Sequence, residues 1–263
     1  MLIIPFGSQA ASLDMAGGKG ANLVRLTCAG FNVPPGFIIS TSAYRLFVTE
    51  NNLLPLIQAA VENLSAEDAV TTEVASTRIR EAFSAAKMAT DIEDSLYRAY
   101  TELGAIPVAV RSSATAEDLP ELSFAGQQDT YLNIQGQDQL RQAVINCWSS
   151  LWTARAIGYR LRNGIPQAEV ALAVVVQAMV ESAVSGVLFT ANPLSGLLSE
   201  TVIDATFGLG EALVSGQVEP DHFVIDTLSG KTKSLKLGTK QLSTRGKPGG
   251  GIETLPEQVA ALQ

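Results

Sequence analysis

The sequence has 263 residues, with 18 Lys and Arg residues against 26 Asp and Glu residues and a formal net charge of −8. This negative charge argues against a nucleic-acid partner, because such binding depends on cationic side chains that neutralise phosphates. Since no apolar run approaches the roughly 18 to 20 residues that a membrane span needs and 46% of the residues are hydrophobic, we expect a globular cytoplasmic protein without a membrane partner.

The first half of the sequence has the periodicity of amphipathic helices. Apolar residues recur at helical spacing in four stretches: Leu23 and Leu26; Tyr44, Phe47 and Val48; Ile79, Phe83 and Ala86; and Ile92, Leu96 and Leu103. A short buried strand is predicted at 106–110, ending at Arg111. One long helix is predicted from about Asp138 to Arg162, because Asn163-Gly164 and Pro166 mark its end.

The second half of the sequence is rich in predicted strands. Apolar, β-branched runs predict five of them, at 170–180, 184–190, 200–206, 222–225 and 231–237. We place a boundary near 180–183, which divides the chain into an amino-terminal lobe, 1–180, and a second lobe, 181–263.

The carboxyl end predicts the start of a helix. Thr254-Leu255-Pro256-Glu257 has the form of a capping box with proline in the first turn. Because a helix of about two turns is marginal alone, we expect an amino-terminal piece of a longer polypeptide, with a short docked tail as the alternative.

The first candidate for chemistry is the glycine cluster that precedes a predicted helix, Ala16-Gly17-Gly18-Lys19-Gly20. Glycines let a backbone approach an anion closely, a helix start offers unpaired N–H groups, and Lys19 adds a positive charge. The cluster is typical of phosphate binding, although a tight turn with a surface lysine explains it equally well.

The second candidate is Arg111, which a predicted strand delivers to a run of hydroxyl residues, Ser112-Ser113-Ala114-Thr115. A guanidinium there can bind phosphate oxygens in a fork. A salt bridge from Arg111 to Glu117 or Asp118 is the alternative.

The third candidate is the segment from Ser123 to Asn133. Small residues around Gly126 suit a loop that closes over phosphates and offers backbone N–H groups and the Thr130 hydroxyl. An ordinary polar hairpin turn is the alternative.

The fourth candidate is the end of the most apolar predicted strand, Gln177-Ala178-Met179-Val180. Met179 and Val180 offer backbone groups and apolar surface to a purine, and Gln177 offers a polar edge, in a cleft of the kind that binds small ligands. The alternative is a core strand that ends at the surface glutamate Glu181.

Taken together and in order, these motifs resemble the amino-terminal ATP-binding domain of phosphoenolpyruvate synthase, pyruvate phosphate dikinase and the related rifamycin phosphotransferases. The resemblance spans about residues 15–226. The segments that carry it are GGKGANL, VPPGF, AVRSSATAEDLPELSFAGQQDTYLN, SGVLFTANP and FGLGEALVSGQVEPD.

The resemblance implies an α+β fold of the ATP-grasp type, with ATP held between two lobes. By the same resemblance, Lys19 and Arg111 are expected to contact the phosphates and act in catalysis, Gly126 and Thr130 to form the phosphate-side loop, and Gln177, Met179 and Val180 to lie beside the adenine. In this family the β-phosphoryl group of ATP passes, with Mg²⁺, to a histidine on a separate swivelling domain. The phosphohistidine then phosphorylates pyruvate or an antibiotic hydroxyl.

Two departures from the family pattern limit these expectations. The family's magnesium ligands and a further phosphate-binding arginine are expected beyond Gln263, and the only histidine, His222, does not match the swivelling-domain motif. We therefore expect a fragment with about half an ATP site, which binds nucleotide weakly and does not turn over alone. The acceptor, pyruvate or an antibiotic, stays open, as does a non-catalytic nucleotide-binding module.

Overall fold

The computed structural model describes residues 1–8, 11–115, 130–167 and 170–257. The chain divides into two compact units, Met1–Met179 and Val180–Gln263. Both contain helices and strands, so the fold is α+β. Within the described ranges, no helix is long and apolar enough to cross a membrane.

The first unit is built on a five-stranded antiparallel sheet with strand order β1-β2-β5-β3-β4. Its strands are β1 (Ile3–Pro5), β2 (Gly36–Ile39), β3 (Val108–Ala114), β4 (Thr130–Ile134) and β5 (Leu172–Ala178). Its helices are α1 (Leu13–Cys28), α2 (Thr41–Glu50), α3 (Leu53–Val61), α4 (Ala69–Ala85), α5 (Thr90–Glu102), α6 (Gln137–Ser150) and α7 (Ala154–Arg162).

Side-chain alternation along the strands divides the core of this unit into two layers. On one face Val108, Val110 and Val174 pack in a large cluster that includes apolar residues of α2 to α7. On the opposite face Ile38 and Val175 pack against Ala16 and Val24 of α1 in a smaller cluster. Because successive side chains of a strand point to opposite faces, the apolar residues 172–176 of β5 supply both layers.

Two expectations about the first unit are corrected by its structure. The helix expected from Asp138 to Arg162 is two helices, because the Thr153 hydroxyl accepts a hydrogen bond from the Ala156 amide at 3.2 Å and caps a new helix start. The strand expected to end at Arg111 continues to Ala114, because β3 pairs with β5 through that residue. Arg111 is therefore in the middle of a strand.

The second unit contains an antiparallel sheet with order β6-β7-β8-β9 and a separate hairpin, β10-β11. Its elements are β6 (Val184–Phe189), β7 (Glu200–Phe207), α8 (Glu211–Val214), β8 (Asp221–Asp226), β9 (Thr232–Lys236), β10 (Leu242–Gly246) and β11 (Ile252–Pro256). The strands expected at 170–180, 184–190, 200–206, 222–225 and 231–237 are thus confirmed, as β5 to β9.

The helix start expected at Thr254 is wrong, since these residues form strand β11. Thr254 lies opposite Thr244 of β10 in the hairpin register. Beyond the strand, Glu257 accepts hydrogen bonds from the Ser243 hydroxyl at 2.6 Å and from Arg245 at 2.5 Å. The glutamate that completed the capping pattern is therefore paired across the hairpin.

Candidate functional site

Three of the predicted site residues share one face of the first unit's sheet, the face on which α1 packs. Arg111 of β3 lies directly opposite Thr130 of β4 and Val175 of β5. Directly opposite residues of antiparallel strands point to the same face, with Cα atoms roughly 4.5 to 5.5 Å apart. Gln177 lies two residues beyond Val175, so it shares this face and is a diagonal neighbour of Arg111.

The fourth predicted residue, Lys19, follows a break in α1. Gly17 has φ of 67° and ψ of 174°, which is not helical, so the helix starts again after it. A side chain at Gly17 has no space, because a Cβ atom there would lie 2.1 Å from the backbone oxygen of Ser113. The glycine cluster thus lets the backbone that carries Lys19 lie directly against β3.

The Ser113 hydroxyl holds this break in place. It donates a hydrogen bond to the Ala16 carbonyl at 2.8 Å and accepts one from the Gly20 amide at 3.0 Å. An uninterrupted helix would pair these two groups with each other, so the hydroxyl is inserted into the helical hydrogen-bond ladder. Ser113 is fully buried, and it follows Arg111 by two residues on the same face, about 7 Å along the strand.

Sequence reasoning missed Ser113 as part of this arrangement. The signal was present, because period-two alternation places Ser113 on the face of Arg111. The sequence does not show that α1 covers this face, because that depends on the tertiary packing of Ala16 and Val24.

The three residues predicted to lie beside the adenine differ in their exposure and in their hydrogen bonds. Gln177 is half-buried, and its amide donates a hydrogen bond to the Pro34 carbonyl at 3.1 Å. The Met179 amide donates to the Pro107 carbonyl at 2.9 Å, so this N–H is already used within the protein and is not available to a purine. Val180 is 56% exposed and begins the second unit.

One predicted site residue, Gly126, lies outside the described residues, as do Glu117 and Asp118, the alternative salt-bridge partners of Arg111. Thr130 is exposed, whereas Lys19 and Arg111 are half-buried. A half-buried guanidinium with an exposed hydroxyl directly opposite it has the donors to bind phosphate oxygens. The described part of the chain contains no group of three or more His, Cys, Asp and Glu residues that could hold a metal ion.

Comparison with known proteins gives a family match over nearly the whole chain. Residues 13–261 match the family described as pyruvate phosphate dikinase, AMP/ATP-binding domain. A probable phosphoenolpyruvate synthase of Methanothermobacter thermautotrophicus is 43% identical, over 88% of this chain and 34% of that protein.

Two further relatives are a second phosphoenolpyruvate synthase and a rifampicin phosphotransferase. A phosphoenolpyruvate synthase of Pyrococcus furiosus is 38% identical, over 94% of this chain and 35% of that protein. A rifampicin phosphotransferase of Bacillus subtilis is 40% identical, over 94% of this chain and 28% of that protein. The chain therefore spans about a third of the length of these relatives.

Proposed function

The chain belongs to the family of pyruvate phosphate dikinase AMP/ATP-binding domains, and from this premise we propose that it is the ATP-binding part of a dikinase-type phosphotransferase with an ATP-grasp fold. The observation that carries the proposal is that Arg111, Thr130 and Gln177 share one face of the sheet. On that face the Ser113 hydroxyl is hydrogen-bonded to the bend in α1 that precedes Lys19.

In this proposal the phosphates of ATP lie against the β3–β4 side of this face. Arg111 binds phosphate oxygens through its guanidinium, Thr130 donates its hydroxyl, and Lys19 adds a second positive charge. Phosphoryl transfer depends chiefly on positioning and on electrostatic stabilisation of the phosphoryl oxygens, so two cations and a hydroxyl are suitable groups. Gln177, with the apolar side chains of Met179 and Val180, would lie on the adenine side.

The reaction we propose for the longer enzyme transfers the β-phosphoryl group of ATP to a histidine of a separate domain and the γ-phosphoryl group to water, releasing AMP and inorganic phosphate. The phosphohistidine then phosphorylates pyruvate. The relatives named phosphoenolpyruvate synthase support this acceptor. His222 is not proposed as the carrier histidine, because the proposed carrier belongs to a separate domain, whereas His222 lies in strand β8 of this chain. Its Nδ1 is 2.7 Å from Asp204 Oδ1.

Mg²⁺ accompanies ATP in enzymes of this type. The described residues contain no group of three or more His, Cys, Asp and Glu side chains that could hold a metal ion, so no step is assigned to it. The proposed mechanism also implies that the 263-residue chain does not turn over alone, since the carrier histidine belongs to another domain. Formation of AMP from ATP and pyruvate by this chain alone would contradict that part of the proposal.

An antibiotic hydroxyl is the second candidate acceptor, because the relative named rifampicin phosphotransferase also matches 94% of this chain. A non-catalytic nucleotide-binding module is the candidate from another class. A full-length protein would distinguish the three by converting ATP to AMP with pyruvate, with rifampicin, or with neither.

Calorimetric titration of the chain with ATP and with adenosine tests the proposed site. Lys19→Ala and Arg111→Ala should each weaken ATP binding about ten- to hundredfold, because each removes a charged hydrogen-bond donor worth roughly 1.5 to 3 kcal/mol. Adenosine binding should not change.

Arg25→Ala is the matched control for Lys19→Ala, because Arg25 is an exposed cation on the same helix, hydrogen-bonded to Asn22. It should leave ATP affinity unaltered. Equal ATP affinity in the unaltered chain, Lys19→Ala and Arg111→Ala would exclude these two residues from the site.

A further inference from the structure

We infer that Ser113 is a positioning residue for the phosphate side of the site, acting through Lys19; this rests on the proposed function. Its hydroxyl connects the helix break that precedes Lys19 to the strand that carries Arg111. The two cations are therefore linked by one buried side chain, although they are far apart in the sequence.

The geometry at Ser113 sets the place of the restarted helix. Gly20 is the third residue after Gly17, so its N–H is among those that a helix start leaves without an intrahelical partner. The Ser113 hydroxyl is fully buried and satisfies both this N–H and the Ala16 carbonyl. If the hydroxyl is removed, both groups lose their partner in a site closed to water, and the backbone must shift to pair them.

A shift of this backbone should displace Lys19 more than it displaces the rest of the first unit. Lys19 immediately precedes Gly20, whereas Arg111 is held separately by its strand pairing with Thr130 and Val175. Ser113 should therefore affect the binding of the phosphates and not that of the nucleoside, and its effect should depend on the Lys19 side chain.

The test compares Ser113→Ala with Ser40→Ala. Ser40 is also fully buried and also donates to a backbone carbonyl at 2.8 Å, that of Met1, so it controls for the loss of a buried serine hydroxyl. ATP affinity should fall about tenfold in Ser113→Ala, with adenosine affinity unchanged, and neither affinity should change in Ser40→Ala. Ser113→Cys keeps a side chain of similar size whose thiol is only a weak hydrogen-bond donor. It replaces Ser113→Ala in this comparison if the alanine variant does not fold.

A double mutant identifies the route of the effect. In a Lys19→Ala background, Ser113→Ala should cause little further loss of ATP affinity, because the side chain that it positions is gone. An equal loss in both backgrounds, or equal weakening of ATP and adenosine, would overturn the positioning role.

A measurement without nucleotide separates this inference from the proposed function. Hydrogen exchange of the Gly20 amide should be faster in Ser113→Ala than in Ser40→Ala, and equal rates would refute the inference directly. Failure of the unaltered chain to bind ATP would instead overturn the proposed function, while the Gly20 exchange rate would still decide whether Ser113 holds the bend.

Discussion

Replacement of Gly17 by alanine tests the close contact between α1 and β3. The new Cβ atom would lie 2.1 Å from the Ser113 backbone oxygen and 2.4 Å from its Oγ. These distances are well below van der Waals contact, and most of the clash is with backbone. The start of α1 must therefore move away from the sheet.

The cost of this change has two parts. Gly17 has φ of 67° and ψ of 174°, a region that costs a non-glycine residue roughly 1 to 3 kcal/mol. Displacement of the bend also breaks the two hydrogen bonds of the Ser113 hydroxyl, each worth about 1 kcal/mol. We expect a total loss of about 3 to 5 kcal/mol, a large part of the roughly 5 to 15 kcal/mol that stabilises a typical domain.

Urea unfolding followed by tryptophan fluorescence measures this loss, because the only two tryptophans, Trp148 and Trp152, are buried in the first unit. Gly30→Ala is the matched control. Gly30 also has positive φ, 82°, but nothing lies within 4 Å of its Cβ position, so it should lose only the roughly 1 to 2 kcal/mol of left-handed strain. If Gly17→Ala destabilises no more than Gly30→Ala, the contact with β3 does not constrain the site.

Three further predictions concern stability. Arg160→Met should cost roughly 2 to 4 kcal/mol in urea unfolding, because this buried guanidinium pairs with a glutamine and a backbone carbonyl that would both lose a partner; an unchanged midpoint would contradict it. Hydrogen bonds from Thr71, and then from the Val70 amide, hold the pKa of Asp68 below its usual range. The stability that this carboxylate contributes is present at neutral pH and is lost as the pH falls through the lowered pKa. The melting-temperature difference between the unaltered chain and Asp68→Ala should therefore shrink below about pH 4, and a constant difference would refute this account. The Ser243 hydroxyl, with a nearby arginine, likewise lowers the pKa of Glu257. The protection factors of amides in the β10–β11 hairpin, which correct for slower intrinsic exchange in acid, should therefore fall as the pH falls through that pKa, and those of Glu257→Gln, already low at neutral pH, should not respond.

Periodicity predicted the elements that depend on local residue pattern. The run from Val170 to Val180 predicts β5, because a near-continuous, β-prone apolar run fits a strand buried on both faces. The stripe of Tyr44, Phe47 and Val48 likewise predicts α2. The helix start at Thr254 was wrong, because its capping pattern competes with pairing to β10, a contact that no local pattern reveals.

Sequence motifs alone also identified the candidate residues Lys19, Arg111, Thr130 and Gln177, and the family of the chain. Residue type determines what a side chain can bind, so a lysine among glycines and an arginine before serines indicate anion binding wherever they lie. Their roles in this protein stay predictions that the titrations described above test.

Only the tertiary structure decided that Arg111, Thr130 and Gln177 share one sheet face and that α1 is joined to it through Ser113. Strand register depends on pairing between segments far apart in the chain, and a shift of one residue would move every side chain to the opposite face. The close approach at Gly17 depends equally on where a helix packs. The sequence determined which groups are available for binding, and long-range pairing determined which of them lie side by side.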